Sequence, residues 1–82
     1  MIRKDLHVKS NMVLSTKSVA ELIQRASVFR ASIWIEKDDK TANAKSMLGV
    51  LALKLADDCK ITIIADGEDE EYAINELEEF IS

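Results

Sequence analysis

Apolar and polar residues alternate over positions 2–9, with Ile2, Leu6 and Val8 on one side and Arg3, Asp5, His7 and Lys9 on the other. A period of two predicts a half-buried strand. The spacing then changes. Val19, Leu22, Ile23 and Ala26 fall at i, i+3, i+4 and i+7, which predicts a helix over 16–28 with one apolar face. Ser15, Thr16 or Ser18 can cap it, and Ser18 with Glu21 has the capping-box spacing. Residues 31–36, ASIWIE, predict a second strand with Ile33 and Ile35 inward, and the turn Asp38-Asp39 leads into a short strand near 40–43. Ser46 precedes the apolar segment MLGVLAL, which predicts a short helix with Ser46 as its N-cap. The β-branched run KITIIA at 60–65 predicts a fourth strand. Gly67 turns the chain, and Asp69 can cap a last helix over 70–81 that buries Ala73, Ile74, Leu77, Phe80 and Ile81. Glu70 and Glu71 lie in the first turn of that helix, where its dipole favours negative charge.

The order β-α-β-β-α-β-α places the chain in the α+β class, with an antiparallel sheet and its helices packed on one face. A ferredoxin-like β-α-β-β-α-β unit with an added helix has the same string, so periodicity leaves the topology open. No repeat, low-complexity tract or linker interrupts the chain, and residues 1–82 read as a single domain.

Composition narrows the function classes. With 48% hydrophobic residues the chain is too apolar for disorder. No apolar run approaches the ~18 residues of a membrane span. The segment MIRKDLHVKS lacks the apolar stretch of a signal peptide, so a cytoplasmic location is expected. One cysteine cannot form an internal disulfide, and one histidine with one cysteine leaves too few ligands for a zinc site. No cofactor and no metal are expected.

The net charge of -4 is unevenly spread: residues 1–60 carry +4 and residues 61–82 carry -8. The basic part suits an acidic protein partner. Its lysines and arginines are scattered, without interleaved aromatics to stack bases, which argues against nucleic acid.

Nor does the chain carry a recognisable catalytic constellation. His7 falls on the polar side of the first strand, between Asp5 and Lys9. Cys59 follows Asp57-Asp58, acids that raise a thiol's pKa, and a packing role is expected for it. Both glycines are isolated, so there is no phosphate-binding loop. The residues predict a protein that is not an enzyme.

Ser46 is more informative. Met47, Leu48, Val50, Leu51 and Leu53 exceed what one narrow helix face can bury, so part of this apolar surface should stay exposed beside Lys45. Such a patch suggests a protein-docking site. A phosphate on Ser46 would place nearly two negative charges at the positive end of a helix. The fold would tolerate it, while the patch would change from weakly basic to anionic.

Residues 44–50, Ala-Lys-Ser-Met-Leu-Gly-Val, resemble the regulatory serine motif of HPr, the histidine-containing phosphocarrier family of the bacterial sugar phosphotransferase system. Gly67-Glu68-Asp69-Glu70-Glu71-Tyr72-Ala73 is similar to the family's G-x-D-E-x-x-A segment at the last helix. The resemblance covers the whole chain and implies an HPr-like open-faced β-sandwich, with four antiparallel strands and three helices on one face. The family's active-site segment reads G-L-H-T-R-P-A, with the histidine carrying the phosphoryl group. Here that stretch is Val13-Leu14-Ser15-Thr16-Lys17-Ser18-Val19. Ser15 replaces the histidine, Lys17 the arginine, Ser18 the proline and Val13 the glycine, while Leu14 and Thr16 remain.

A phosphoimidazole gives up its phosphate readily, whereas a serine phosphate is a stable ester unsuited to a relay. Ser15 is therefore expected to act as a helix cap. Val13 does not easily take the positive φ that glycine permits. Lys17 keeps the charge but lacks the planar fork of arginine.

The chain resembles the catabolite-repression HPr-like proteins that also lack the histidine. The resemblance implies phosphorylation of Ser46 by the HPr kinase/phosphorylase and corepression with a LacI-type catabolite control protein. It implies a docking surface of Lys17, Lys45, Met47, Leu48 and Leu51. A phosphotransferase-system phosphocarrier and an HPr-fold adaptor with another partner are the competing readings.

Overall fold

The period-two stretches become four strands and the helical stretches three helices. The computed structural model describes residues 1–9, 16–56 and 58–82. In chain order the elements are β1 (Ile2–His7), α1 (Thr16–Ser27), β2 (Ser32–Lys37), β3 (Lys40–Asn43), α2 (Met47–Ala52), β4 (Lys60–Asp66) and α3 (Glu70–Ile81). The sheet order is β1-β4-β2-β3, so the last strand lies between the first and the second.

All three pairings are antiparallel. A ferredoxin-like unit is also antiparallel but sets β1 and β3 side by side in the centre of the sheet, whereas here β1 and β3 are the two edge strands. The topology that periodicity left open is thus the open-faced sandwich.

Register decides which side chains are covered. Leu6 lies opposite Ile61 and Ile2 opposite Ala65. Ile33 lies opposite Ala65 and Ile35 opposite Ile63, and Ala42 lies opposite Ile35. These residues point to one side of the sheet, and all but half-buried Ile2 are closed from solvent. Val19, Leu22 and Ala26 of α1, Val50 of α2 and Ala73, Leu77 and Ile81 of α3 close over them. That burial is the main favourable term holding sheet and helices together. The opposite face carries Asp5, His7, Trp34, Glu36 and Thr62, with Thr62 donating to Asp5 at 2.7 Å and Arg3 reaching Glu36 at 3.2 Å. Among the described residues no polar or charged residue is buried.

Three local expectations need correction. β2 runs one residue later than the ASIWIE segment, and β4 extends to Asp66. α1 begins at Thr16, so Ser18 is inside its first turn and cannot be its cap; its capping-box spacing to Glu21 does not mark the helix start. Ser15, Val13 and Leu14 lie outside the described residues.

Asp69 holds the N-cap position of α3 but makes no side-chain bond to that helix. Its carboxylate instead accepts the N–H groups of Arg30 and Ala31, both at 2.8 Å. These two bonds, that to Arg30 foremost, hold the carboxyl below its usual range. The N–H groups of the α1–β2 connection thus take the carboxylate that a helix cap would otherwise use. Asp69 therefore ties two elements together where a simple cap would serve one.

Candidate functional site

The site is built on the short segment between β3 and α2. Asn43 ends β3 and organises the turn: its backbone carbonyl accepts Ser46 N–H at 3.0 Å, and its side-chain oxygen accepts Lys45 N–H at 2.8 Å. Ser46 is thereby fixed in extended backbone, φ -110° and ψ 115°, as an N-cap requires. Its hydroxyl accepts the Gly49 N–H at 3.3 Å, and its carbonyl accepts the Val50 N–H at 3.0 Å. The predicted capping role is present in the geometry.

Gly49 lets the helix lie close to the sheet. A Cβ added there would sit 3.3 Å from the Ala42 Cβ. Between β3 and α2 runs a groove lined by Thr41 and Asn43 on one side and Ser46 and Gly49 on the other.

The helix divides its apolar residues as the surplus predicted. Val50 and Leu53 are buried, and Met47 is half-buried against the core. Leu48 is 82% exposed and Leu51 40% exposed. Two leucines thus face solvent within five residues of the Ser46 hydroxyl, on a helix whose one fully buried side chain is Val50.

Lys45 is beside this patch, but its ammonium donates to the Phe29 carbonyl at 2.7 Å. Part of its charge is engaged at the α1–β2 connection. Lys17 is exposed on the second residue of α1, the helix packed beside α2. Ser15 lies outside the described residues, so the structure brings together the Ser46 half of the expected surface.

Sequence reasoning missed Lys37. This side chain donates to the backbone carbonyls of Leu53 at 3.2 Å and Lys54 at 2.8 Å, just past the end of α2. The signal was faint: position 37 continues the inward parity of Ile33 and Ile35. The remaining candidates stay apart. His7 is exposed on the open face opposite Lys60, and Cys59 is half-buried with its sulfur accepting the Ala56 N–H at 3.4 Å. Among the described residues no three or more potential metal ligands cluster, and no helix is long and apolar enough to cross a membrane.

An open antiparallel sheet backed on one face by three helices, with a serine-capped short helix displaying leucines, defines a small α+β protein of the open-faced sandwich type. The family profile described as "PTS HPr component phosphorylation site" matches residues 2–82. The chain belongs to the HPr family. It is 38% identical over 81 residues to the HPr-like protein Crh of Halalkalibacterium halodurans, covering 99% of this chain and 96% of that one. It is 33% identical to the phosphocarrier protein HPr of Borreliella burgdorferi over 99% of this chain and 94% of that protein. The crystal structure of a phosphocarrier protein HPr from Bacillus anthracis superposes with a TM-score of 0.94 at 36% identity, over 99% of this chain and 96% of that one. Its relatives are thus phosphocarrier and HPr-like proteins.

Proposed function

We propose that the chain is a non-catalytic, cytoplasmic regulatory member of the HPr family, working as one domain over residues 1–82 and switched by phosphorylation of Ser46. The kinase is the HPr kinase/phosphorylase, and the serine-phosphorylated form acts as corepressor of a LacI-type catabolite control protein in carbon catabolite regulation. The protein itself binds neither nucleic acid nor membrane.

The observation that carries this reading is the geometry at Ser46. Its hydroxyl caps a short helix whose Leu48 and Leu51 are exposed. In the transfer, the Ser46 oxygen bonds to the γ-phosphorus of ATP, the bond to the β-phosphate oxygen breaks, and ADP leaves while the hydroxyl proton is released. The product carries nearly two negative charges at the N-terminal end of α2, beside the exposed leucines. Partners then read Lys17, Lys45, Met47, Leu48 and Leu51 in a changed field. Ser15 stands where the family's relay histidine would be, and a serine ester is a lasting mark rather than a transfer intermediate. Similarity to a protein called HPr-like adds support.

The test is incubation with HPr kinase/phosphorylase and ATP beside an HPr control. One phosphate is expected on the wild-type chain and none on Ser46→Ala. An unmodified wild-type chain beside a phosphorylated control overturns the reading. Acid-labile labelling by enzyme I and phosphoenolpyruvate would favour a phosphocarrier instead.

A further inference from the structure

Helix α2 is six residues long, too short to persist without help from its surroundings. Its fully buried anchor is Val50, while Leu48 contributes little to holding it down because it faces solvent and Leu51 is only partly covered. The turn at its C-terminal end is strained. Lys54 has φ +52°, the left-handed region where glycine ordinarily ends a helix and where a side chain is disfavoured.

Lys37 meets this strained turn. Its stem leaves β2 on the helix-covered side, in the register of Ile33 and Ile35, and its ammonium donates to the carbonyls of Leu53 and Lys54. Carbonyls at a helix C-terminus lack partners within the helix, and the negative end of the dipole favours a cation there. At the other end, the Lys45 ammonium donates to the Phe29 carbonyl. Two lysines therefore fasten α2 at both ends, Lys45 to the α1–β2 connection and Lys37 from within the sheet.

We infer that Lys37 is a positioning residue for the docking face: its two bonds hold the Leu51–Lys54 turn, and with it the exposed leucines, in the arrangement that a partner of α2 reads. The inference rests on α2 being the docking and phosphorylation helix. The clamp itself is measurable without any partner.

The experiment compares wild type with Lys37→Met, which keeps the stem and removes the donors, Lys37→Arg, which keeps donors, and Lys37→Met combined with Lys54→Gly. Amide hydrogen exchange is followed at Leu53 and Lys54, whose N–H groups donate to the Val50 and Leu51 carbonyls. Lys37→Met is expected to speed their exchange on the order of tenfold, the factor expected for loss of a charged hydrogen bond. The amides of Ile35 and Ile63 should be unchanged. Arginine should restore protection, and Lys54→Gly should recover part of it because glycine adopts the left-handed turn without strain.

In the kinase assay, KM for Ser46 should rise in Lys37→Met with kcat retained, and arginine should reverse it. Unchanged exchange at Leu53 and Lys54, or acceleration shared equally by the core strands, overturns the clamp. A loosened turn with an unchanged KM overturns its docking role. Failure of the kinase to modify wild type counts against the Ser46 reading alone, and the exchange data still decide whether Lys37 holds the turn.

Discussion

Leu48 and Val50 are two residues apart on the same short helix, and truncating each to alanine separates an exposed leucine from a packing residue. Full burial of a leucine stabilises a fold by about 1.5–3 kcal/mol. With Leu48 82% exposed, only about a fifth of that, roughly 0.3–0.6 kcal/mol, is at stake. Alanine's better helix propensity returns a few tenths. Leu48→Ala should therefore change stability by less than about 0.5 kcal/mol, or roughly 2–4 °C in Tm.

Val50 is fully buried. Removing its two methyl groups and leaving a partly collapsed cavity costs about 2–3 kcal/mol. The urea midpoint of Val50→Ala should fall clearly at unchanged slope, and Tm should drop by roughly 8–24 °C. Equilibrium urea unfolding with thermal melts, run in parallel on both variants, measures the contrast. A loss above about 1 kcal/mol in Leu48→Ala would show that this leucine packs on its own chain, and the surface would no longer be free for a partner.

Gly67 has φ +156°, and a Cβ there would lie 2.6 Å from the Ala31 Cα, a backbone atom that cannot step aside. Gly67→Ala should thus cost more than the ~1–3 kcal/mol of backbone strain alone, and urea unfolding with a near-wild-type midpoint would contradict it. Asp69 and Glu70 are held below their ordinary values of 3.8 and 4.5, Asp69 by the Arg30 and Ala31 N–H groups and Glu70 by the Gly67 N–H and the N-terminal ammonium. Their contribution is complete above the ordinary values and is lost as pH falls through the lower folded values. Wild type and Asp69→Ala should differ most at neutral pH and converge as the pH falls through the lowered folded value; a gap in urea midpoint constant with pH would refute the linkage.

Periodicity located β1, α1, β2 and α3, because a one-faced element writes its period into the chain. β3, α2 and β4 were legible instead from the Asp38-Asp39 turn, the Ser46 cap and a β-branched run, and β4 buries consecutive Ile63, Ile64 and Ala65. Val19, Leu22 and Ala26, or Ile33 and Ile35, read directly as core for that reason. Strand order was not so written. Ile61 and Ile63 are inward residues whichever neighbours β4 has, so placing β4 between β1 and β2 required the resemblance or the fold.

The capping assignments show where local rules stop. Ser46 caps as expected because its turn is closed by Asn43, three residues away. Asp69 fails the same expectation because Arg30 and Ala31, distant in sequence, compete for its carboxylate. At the candidate site, the surplus of apolar residues in MLGVLAL already implied that leucines such as Leu48 and Leu51 would face solvent. The contacts of Lys37 and Lys45 with carbonyls 16 residues away carry no local signature.

The position of β1 has a consequence in time. A ribosome delivers this strand before the other three of the sheet, yet its neighbour is β4, with Ile2 opposite Ala65. The β2–β3 hairpin closes locally, so it is free to form while the chain is still being made. β1 must wait until Lys60–Asp66 has emerged before it has a strand to pair with. During synthesis the apolar side chains of β1 are the ones exposed longest. The outward-facing Arg3, Asp5 and His7 of the same strand supply the polarity that keeps the waiting segment in water.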